Sequence, residues 1–349
     1  MAVEGTEPVI PLPSPRQMLK INKESLNDVS LRGPSFTVVT YNVLADVYAT
    51  SEQFPNCPSF ALNWEYRKQR LLKEILQCHP DIICLQEVQQ NHFISFFHPE
   101  LAKLGYEGVF KEKERQLRIA TVDGCATFYK VNKFHFRTQW SIYLGYKDNI
   151  ALQVILSFKN TYQSLCIANT HIHTNPRNND IKVRQVYNLL KALEPYFWDQ
   201  RHFTLILCGD FNSLPGSVVH SFLTTGKVDP SHEEISNFDP SERLHLRHTI
   251  PSKSAYHSYS LCNIPLQEVW KKIVLQGEPR FTNFVKNGVH EKFKGTIDYI
   301  IYNPNKLQVV SLLELIDEDE VKDCALPSVM RSSDHIPIAA EFRYIYEST

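Results

Sequence analysis

Six short stretches place side chains able to do chemistry at the ends of otherwise apolar runs. TYNVLA puts Asn42 after Val38 and Val39, and CLQEVQ puts Glu87 after Ile82, Ile83 and Leu85. IANTHIH carries Asn169, His171 and His173 two apart, so one face of a strand would present all three. LILCGDFNSLPGS ends an apolar run in Asp210 and Asn212, which share a face, before Pro215 and Gly216 turn the chain away. GTIDYIIY sets Asp298 among apolar neighbours, and SSDHIPIAAEF opens on Asp334 and His335. A carboxylate buried alone costs several kcal/mol, so each of these needs a partner.

Taken singly, an Asn or Asp at a strand end is a turn or a cap, and a His beside apolar residues is a core residue with its hydrogen bonds made. Six strand ends converging in one cleft would instead supply oxygen ligands for a hard cation such as Mg²⁺, a base, and carboxamides for phosphate. Asp210 is then placed to activate an attacking water, while Asn212 donates to a phosphate oxygen. Asp298 would orient His335 and stabilise its charged form. A water nucleophile, a divalent cation and a His–Asp pair suit hydrolysis of a phosphate ester.

The elements that must bring these residues together are mostly strands. SFTVVTYNVLA, DIICLQEV (81–88), GCATFYK, IALQVILSF and LCIANTH read as strands, as do FTNFV, TIDYIIYN, LQVVSLLEL and IPIAAEFRYI near the end. NWEYRKQRLLKEILQCH (63–79) reads as an amphipathic helix with Leu71, Leu72, Ile75 and Leu76 on one side. Shorter helices are expected over about 91–104 and 180–195. Many strands with few helices between them predict two packed sheets covered by helices, in one domain over 35–346. Residues 1–34, with four prolines in EPVIPLPSPR, read as a disordered tail. The segment 228–258 reads as a surface excursion, Trp64 and Tyr66 as helix-face packing, and KEKERQ (111–116) as a solvated loop.

Composition bounds the rest. The 349 residues are 43% hydrophobic, enough for a packed core, and the net charge of −1 opposes a broad electrostatic grip on duplex nucleic acid. Eight scattered cysteines without a CxxC pair suit a reducing compartment. No basic region followed by an apolar run opens the chain, and no apolar stretch approaches the roughly 20 residues of a membrane span. A soluble protein of the cytoplasm, with a nuclear share, is the expectation.

In this order, TYNVLAD, CLQEV, NTHIH, CGDFNSLPGS, TIDYI and SSDH resemble the endonuclease/exonuclease/phosphatase superfamily, whose best-known member is deoxyribonuclease I. The resemblance runs from Ser35 to Arg343 and implies an α/β fold, a four-layer sandwich of two packed mixed β-sheets flanked by helices. YNVLADVYAT, ALNWEYRKQRLLKEI, NTHIHTNPRNNDIKVRQ, TGKVDPSHEE and FKGTIDYIIY look like one branch, the carbon catabolite repressor type of poly(A) deadenylase. By that resemblance Glu87 is the principal Mg²⁺ ligand, Asn42 lies at the metals and Asp334 serves a second ion, with Mn²⁺ as a substitute. Asp210 would be the water-activating carboxylate, Asn212 and His171 phosphate contacts, and His335, paired with Asp298, a transition-state stabiliser. Phe293 and Pro176 match the positions that sandwich an adenine in that branch, and Asn283 the carboxamide beside it.

The implied activity is Mg²⁺-dependent 3′→5′ removal of adenosine 5′-monophosphate from single-stranded poly(A). Two rivals are a nocturnin-like phosphatase acting on a phosphorylated dinucleotide and an inactive adaptor that recruits RNA-decay factors. A deadenylase complex is an implied partner. Residues 1–34 carry no leucine-rich period of the kind such subunits often use for docking.

Overall fold

Two β–α–β units, one in each of two sheets, set the frame of the molecule. The computed structural model describes residues 13–21, 33–114, 123–145, 148–198, 203–236, 238, 246–262, 272–273, 277–287 and 290–345. Strands β1 (Met18–Lys20), β2 (Ser35–Asn42), β3 (Ile82–Gln89), β4 (Tyr106–Glu112), β5 (Asp123–Lys130), β14 (Leu307–Leu313) and β15 (Ile338–Tyr344) form a seven-stranded sheet in the order β1-β14-β15-β2-β3-β5-β4. A six-stranded sheet runs β10-β13-β9-β8-β7-β6. Its members are β6 (Phe134–Tyr143), β7 (Ile150–Phe158), β8 (Ser164–His171), β9 (Phe203–Asp210), β10 (Lys253–Ser254) and β13 (Asp298–Tyr302). β11 (Asn283–Asn287) and β12 (His290–Gly295) pair separately.

All pairings in the two sheets are antiparallel except β2 with β3 and β8 with β9. A parallel pair needs a crossover, and a helix makes each one: α1 (Trp64–Leu76) between β2 and β3, α2 (Asn179–Leu193) between β8 and β9. α1 starts where the Asn63 side chain accepts the Glu65 N–H at 2.8 Å, and its Leu71, Leu72 and Ile75 pack on Val39, Tyr41 and Ile83. On β2 the alternate residues Phe36 and Val38 face the other way, into the core between the sheets with Ile82, Val154, Ile206 and Ile300. α2 and α3 (Val218–Thr225) cover the outer face of the second sheet through Val183, Val186, Leu189 and Phe222. Helix, sheet, sheet and helix therefore stack as four layers, the architecture expected. Among the described residues no helix is long and apolar enough to cross a membrane. All eight cysteines are free and only Cys324 is exposed.

Four expectations change. The chain over 13–21 is not a loose tail: β1 pairs with the edge strand β14, Ile21 enters the central core, and Arg16 is buried. Proline-rich composition says nothing about an edge strand waiting for a partner. Residues 1–12 and 22–32 lie outside the described set. The segment 228–258 is no mere excursion either, since Val228, Ile235, Leu246 and Ile250 complete the core under α2 and α3, and Ala255, Tyr256 and Tyr259 the central one. Finally, β6 was not anticipated. It lies at a sheet edge, where Trp140 and Tyr143 stay exposed, so it lacks the apolar run that marks a buried strand. The helix expected over 91–104 is broken by a π turn at Phe93–Phe97 before His98–Ala102.

Candidate active site

The parallel strands end on the same side of the sandwich, and their last residues are the polar ones. Asn42 closes β2, His171 closes β8 and Asp210 closes β9. Register then lines up three side chains in one sheet: His171 lies opposite Asp210 on one side and Asp298 opposite Asp210 on the other. Close approach is built into this row, because a Cβ on Gly209 would lie 1.9 Å from the Thr170 carbonyl oxygen. Glu87 reaches the cleft from the first sheet by a different device. β3 bulges between Leu85 and Val88, and Glu87 sits there at φ +57°, which aims its carboxylate across the sheets.

Asn42 ties the two sheets together at this point. Its amide Nδ2 donates to Glu87 Oε1 at 3.0 Å and to Asp210 Oδ2 at 3.1 Å, while its Oδ1 accepts the Leu44 N–H. A cation at Glu87 would thus meet the NH₂ of Asn42 rather than its oxygen. Asn42 enters as a positioning donor, not as the ligand the sequence suggested. The second Glu87 oxygen accepts the Ala45 N–H at 3.0 Å. Asn169, expected to face the cleft beside His171, lies beneath it instead. It donates to the Leu85 and Ala126 carbonyls and accepts from Gln86, so it bolts the sheets together. His173 lies beyond the strand but still lines the cleft.

His335 Nδ1 is 2.8 Å from Asp298 Oδ2, and its Nε2 is 3.6 Å from Asp210 Oδ2. Burial works against charge on this ring, but Asp298 and Asp334 prevail and hold its proton well above the usual histidine range. Burial, and then Asp298, push Asp210 up to about 7, although His335 and the Asn212 N–H pull it back. Such a carboxyl is poised to exchange a proton near neutrality. His171 goes the other way, since burial and then Lys113 keep it neutral. Its Nδ1 is 3.9 Å from Glu87 and its Nε2 3.5 Å from Asp210, and neither ring nitrogen has a hydrogen-bond partner.

Asn212 takes a left-handed backbone, φ +44°, in which its N–H returns to Asp210 Oδ1 at 2.9 Å. Lys182 of α2 holds the Asn212 carbonyl at 2.6 Å, and the Asn212 amide reaches only weakly, at 3.3 Å, to the Ile172 carbonyl. Asp334 Oδ2 accepts from Asn283 at 3.2 Å. Asn283, Phe293 and Pro176 all line the cleft. The whole cleft has a volume of about 930 Å³.

Lys113, Asp123 and Tyr48 were missed. Instead of lying in a solvated run, Lys113 turns inward at the end of β4, pairs with the buried Asp123 at 2.6 Å and lines the cleft. Residues 115–116 of that run lie outside the described set. The Tyr48 hydroxyl donates to the other Asp123 oxygen. The one available signal was Asp123 at the start of the apolar run DGCATFYK. Trp64 stacks on His92 and Tyr66 bonds the Val329 carbonyl, as helix-face packing requires.

Two places could hold a cation. Ligand atoms of Asp210, Asp298 and His335 all fall within 4.8 Å of one another. A protonated His335 has no lone pair to give, so this trio is better suited to a proton relay. Glu87 is the better fit. Burial first, and then the nearby charges of Asp123 and Asp334, raise its pKa, which is the mark of crowded oxygen donors that a hard cation would relieve.

Residues 39–335 match the Endonuclease/Exonuclease/phosphatase family. Carbon catabolite repressor protein 4 homolog 1 of Arabidopsis thaliana is 38% identical over 95% of this chain and 62% of its own length. The CCR4-Not complex 3′-5′-exoribonuclease subunit Ccr4 of Schizosaccharomyces pombe is 32% identical over 94% of this chain and 51% of its own. The chain thus spans between half and two thirds of these relatives. Among solved structures, ANGEL2, a 2′,3′-cyclic phosphatase, superposes with a TM-score of 0.76 at 27% identity, covering 94% of this chain and 97% of that one. The human Nocturnin catalytic domain with bound sulfate follows with a TM-score of 0.65 at 25% identity, over 94% and 97% of the two chains.

Proposed function

The chain belongs to the endonuclease/exonuclease/phosphatase family, and from that footing we propose that it is a divalent-cation-dependent 3′→5′ exoribonuclease that shortens poly(A). The observation that carries the substrate is the lining of the cleft. Phe293, Pro176 and Asn283 line the same cleft, of about 930 Å³, as the acid and histidine cluster. An aromatic ring and a proline offer an apolar slot for a base, worth about 1–3 kcal/mol per stacked base. The name of the fission yeast relative, a 3′-5′-exoribonuclease subunit, supports the direction of hydrolysis in this reading.

Within this reading Asp210 takes the proton of the attacking water, for which its pKa near 7 suits it. His335, kept charged by Asp298, lies 3.6 Å from Asp210 Oδ2 and stabilises negative charge developing on the phosphate. His171 and the Asn212 amide offer donors to the remaining phosphate oxygens. Glu87, with Asp334 near it, would hold Mg²⁺, which when bound supplies charge neutralisation to the phosphate. Removing one of these carboxylates should be tolerated by the fold and not by the chemistry. That separation is what distinguishes this reading from an inactive adaptor.

A phosphatase reading has two observations in its favour, the superpositions on a 2′,3′-cyclic phosphatase and on the Nocturnin catalytic domain. One assay separates the two. A 5′-labelled RNA ending in oligo(A) or oligo(U), an RNA ending in a 2′,3′-cyclic phosphate, and a nicotinamide dinucleotide carrying a 2′-phosphate are each offered with Mg²⁺ and with chelator. A Mg²⁺-dependent ladder on oligo(A), with release of adenosine 5′-monophosphate, is expected. Intact oligo(A) beside rapid dephosphorylation of either alternative would overturn the deadenylase reading and leave the site standing.

A further inference from the structure

We propose that Arg67 is a positioning residue for hydrolysis, a clasp that holds the two loops carrying Asn42 and His335 at their working separation. The inference rests on the hydrolytic reading above. Arg67 does not line the cleft. It lies in the first turn of α1 with no solvent exposure. One guanidinium nitrogen, Nη1, faces three carbonyl oxygens: Val43 at 3.1 Å and Leu44 at 2.9 Å from the first loop, and Ser332 at 3.1 Å from the second. Nε bonds the Leu62 carbonyl at 3.0 Å, which anchors the fork to the helix start.

The first loop is not relaxed. Leu44 holds φ +55°, a conformation that a leucine rarely adopts, and the Arg67 bond to its carbonyl helps keep it there. From that conformation the Leu44 N–H fixes the Asn42 oxygen and the Ala45 N–H fixes Glu87. The second loop is joined to the first by the Ser333 hydroxyl, which donates to the Asn42 carbonyl at 2.7 Å, and the His335 N–H lies 3.2 Å from the same hydroxyl. Arg67 and Ser333 thus bridge loops about 290 residues apart, the Ser333–Asn42 bond alone spanning 291 positions.

Asp46 is 3.6 Å away and 40% exposed, and Asp334 also lies near the charge, while the hydrogen bonds of Nη1 and Nε go to backbone carbonyls. Removing the guanidinium would leave those carbonyls unpaired and cost stability as well as placement, so the two effects have to be separated by experiment. What an apolar residue cannot do is donate to carbonyls of both loops, and a lysine, with its three donors on a single nitrogen, has no second nitrogen to anchor it to the Leu62 carbonyl while it does so.

The test compares Arg67→Lys with Leu71→Ala, a core substitution on the same helix. Each is assayed on 5′-labelled oligo(A) and, in parallel, on bis(4-nitrophenyl) phosphate. A displacement of about 1 Å among reacting groups costs about 10²-fold. Arg67→Lys should therefore lower kcat by about that factor, with KM for oligo(A) within about threefold, because Phe293 and Pro176 sit on other elements. Leu71→Ala, at a comparable melting temperature, should keep its kcat below the melt. Equal kcat in the two variants, or losses that follow melting temperature alone, would overturn the inference. Should Arg67→Lys fail to fold, Ser333→Ala decides: kcat should fall by about tenfold with KM unmoved, and unchanged kcat overturns the clasp. A wild type that cleaves only the aryl diester would sink the poly(A) reading while this comparison still runs on that substrate. A wild type that cleaves neither would sink the hydrolytic reading itself, and this inference with it.

Discussion

Arg16 offers the sharpest test of how the molecule is held together, because composition alone placed it in a tail. The perturbation is Arg16→Met, which keeps most of the apolar stem and removes the fork. In the folded protein Nη1 donates to the Glu314 carbonyl at 3.1 Å and Nη2 to the Pro337 carbonyl at 2.6 Å, the latter two residues past His335. Hydrogen bonds made by a charged donor contribute about 1.5–3 kcal/mol each, so losing both costs about 3–6 kcal/mol. The unfolding entropy is about 2.1 cal/mol/K per residue, and over 349 residues the melting temperature should fall by about 4–8 °C. Differential scanning fluorimetry at pH 7 reads this directly. Deleting residues 1–21 removes the same bonds together with the buried Ile21, so it should also lower the melt. A melt within about 1 °C of wild type for Arg16→Met would refute the packing of this segment and restore the loose tail.

Four further outcomes follow from the site. Glu87→Ala should abolish turnover while leaving the melt close to wild type, since it thins a crowd of carboxylates; a folded variant that still turns over would remove Glu87 from the metal. Asp210→Asn keeps the shape and loses the base, so kcat should drop by about 10²-fold or more while oligo(A) binding, followed by fluorescence anisotropy, stays level. If binding drops in parallel, Asp210 holds substrate instead. Phe293→Ala should cost about 5- to 150-fold in kcat/KM on oligo(A), the range set by about 1–3 kcal/mol of stacking, and Asn283→Ala should mainly erode the preference for A over U; equal rates for Phe293→Ala and wild type would clear the wall of any role in the base. The last outcome concerns pH. Burial pushes His92, stacked on Trp64 at 3.7 Å, down to about 4. The unfolded chain protonates it near 6.5, so this contribution is intact above that pH and is lost as pH falls towards 4. Between pH 7.5 and 5 wild type should lose about 1–2 kcal/mol more than His92→Phe by urea unfolding, and parallel losses would show that His92 is not the cause.

Much of this protein was legible locally. Alternation along a strand is a property of consecutive residues, so the apolar runs and the polar residues at their ends could be read without knowing any partner, and the helix over α1 announced itself by its apolar stripe. What those ends meet is not a local matter. Whether Asp298 stands opposite Asp210, or one residue away on the wrong face, is decided by the register of β13 on β9. Glu87 owes its aim to a bulge that no pattern of residue types marks. Lys113 looked like one more charge in a solvated run because the buried Asp123 that draws it inward lies on the neighbouring strand. Arg67 and Arg16 looked like an ordinary helix residue and an ordinary tail residue. Their roles come from carbonyls about 265 and 321 positions away, and only the closed fold brings those within hydrogen-bonding distance. Sequence determined which side chains could do chemistry, because residue type and strand phase are carried by neighbours. The tertiary structure decided which of them act together, because a hydrogen bond depends on distance in space and not on distance along the chain.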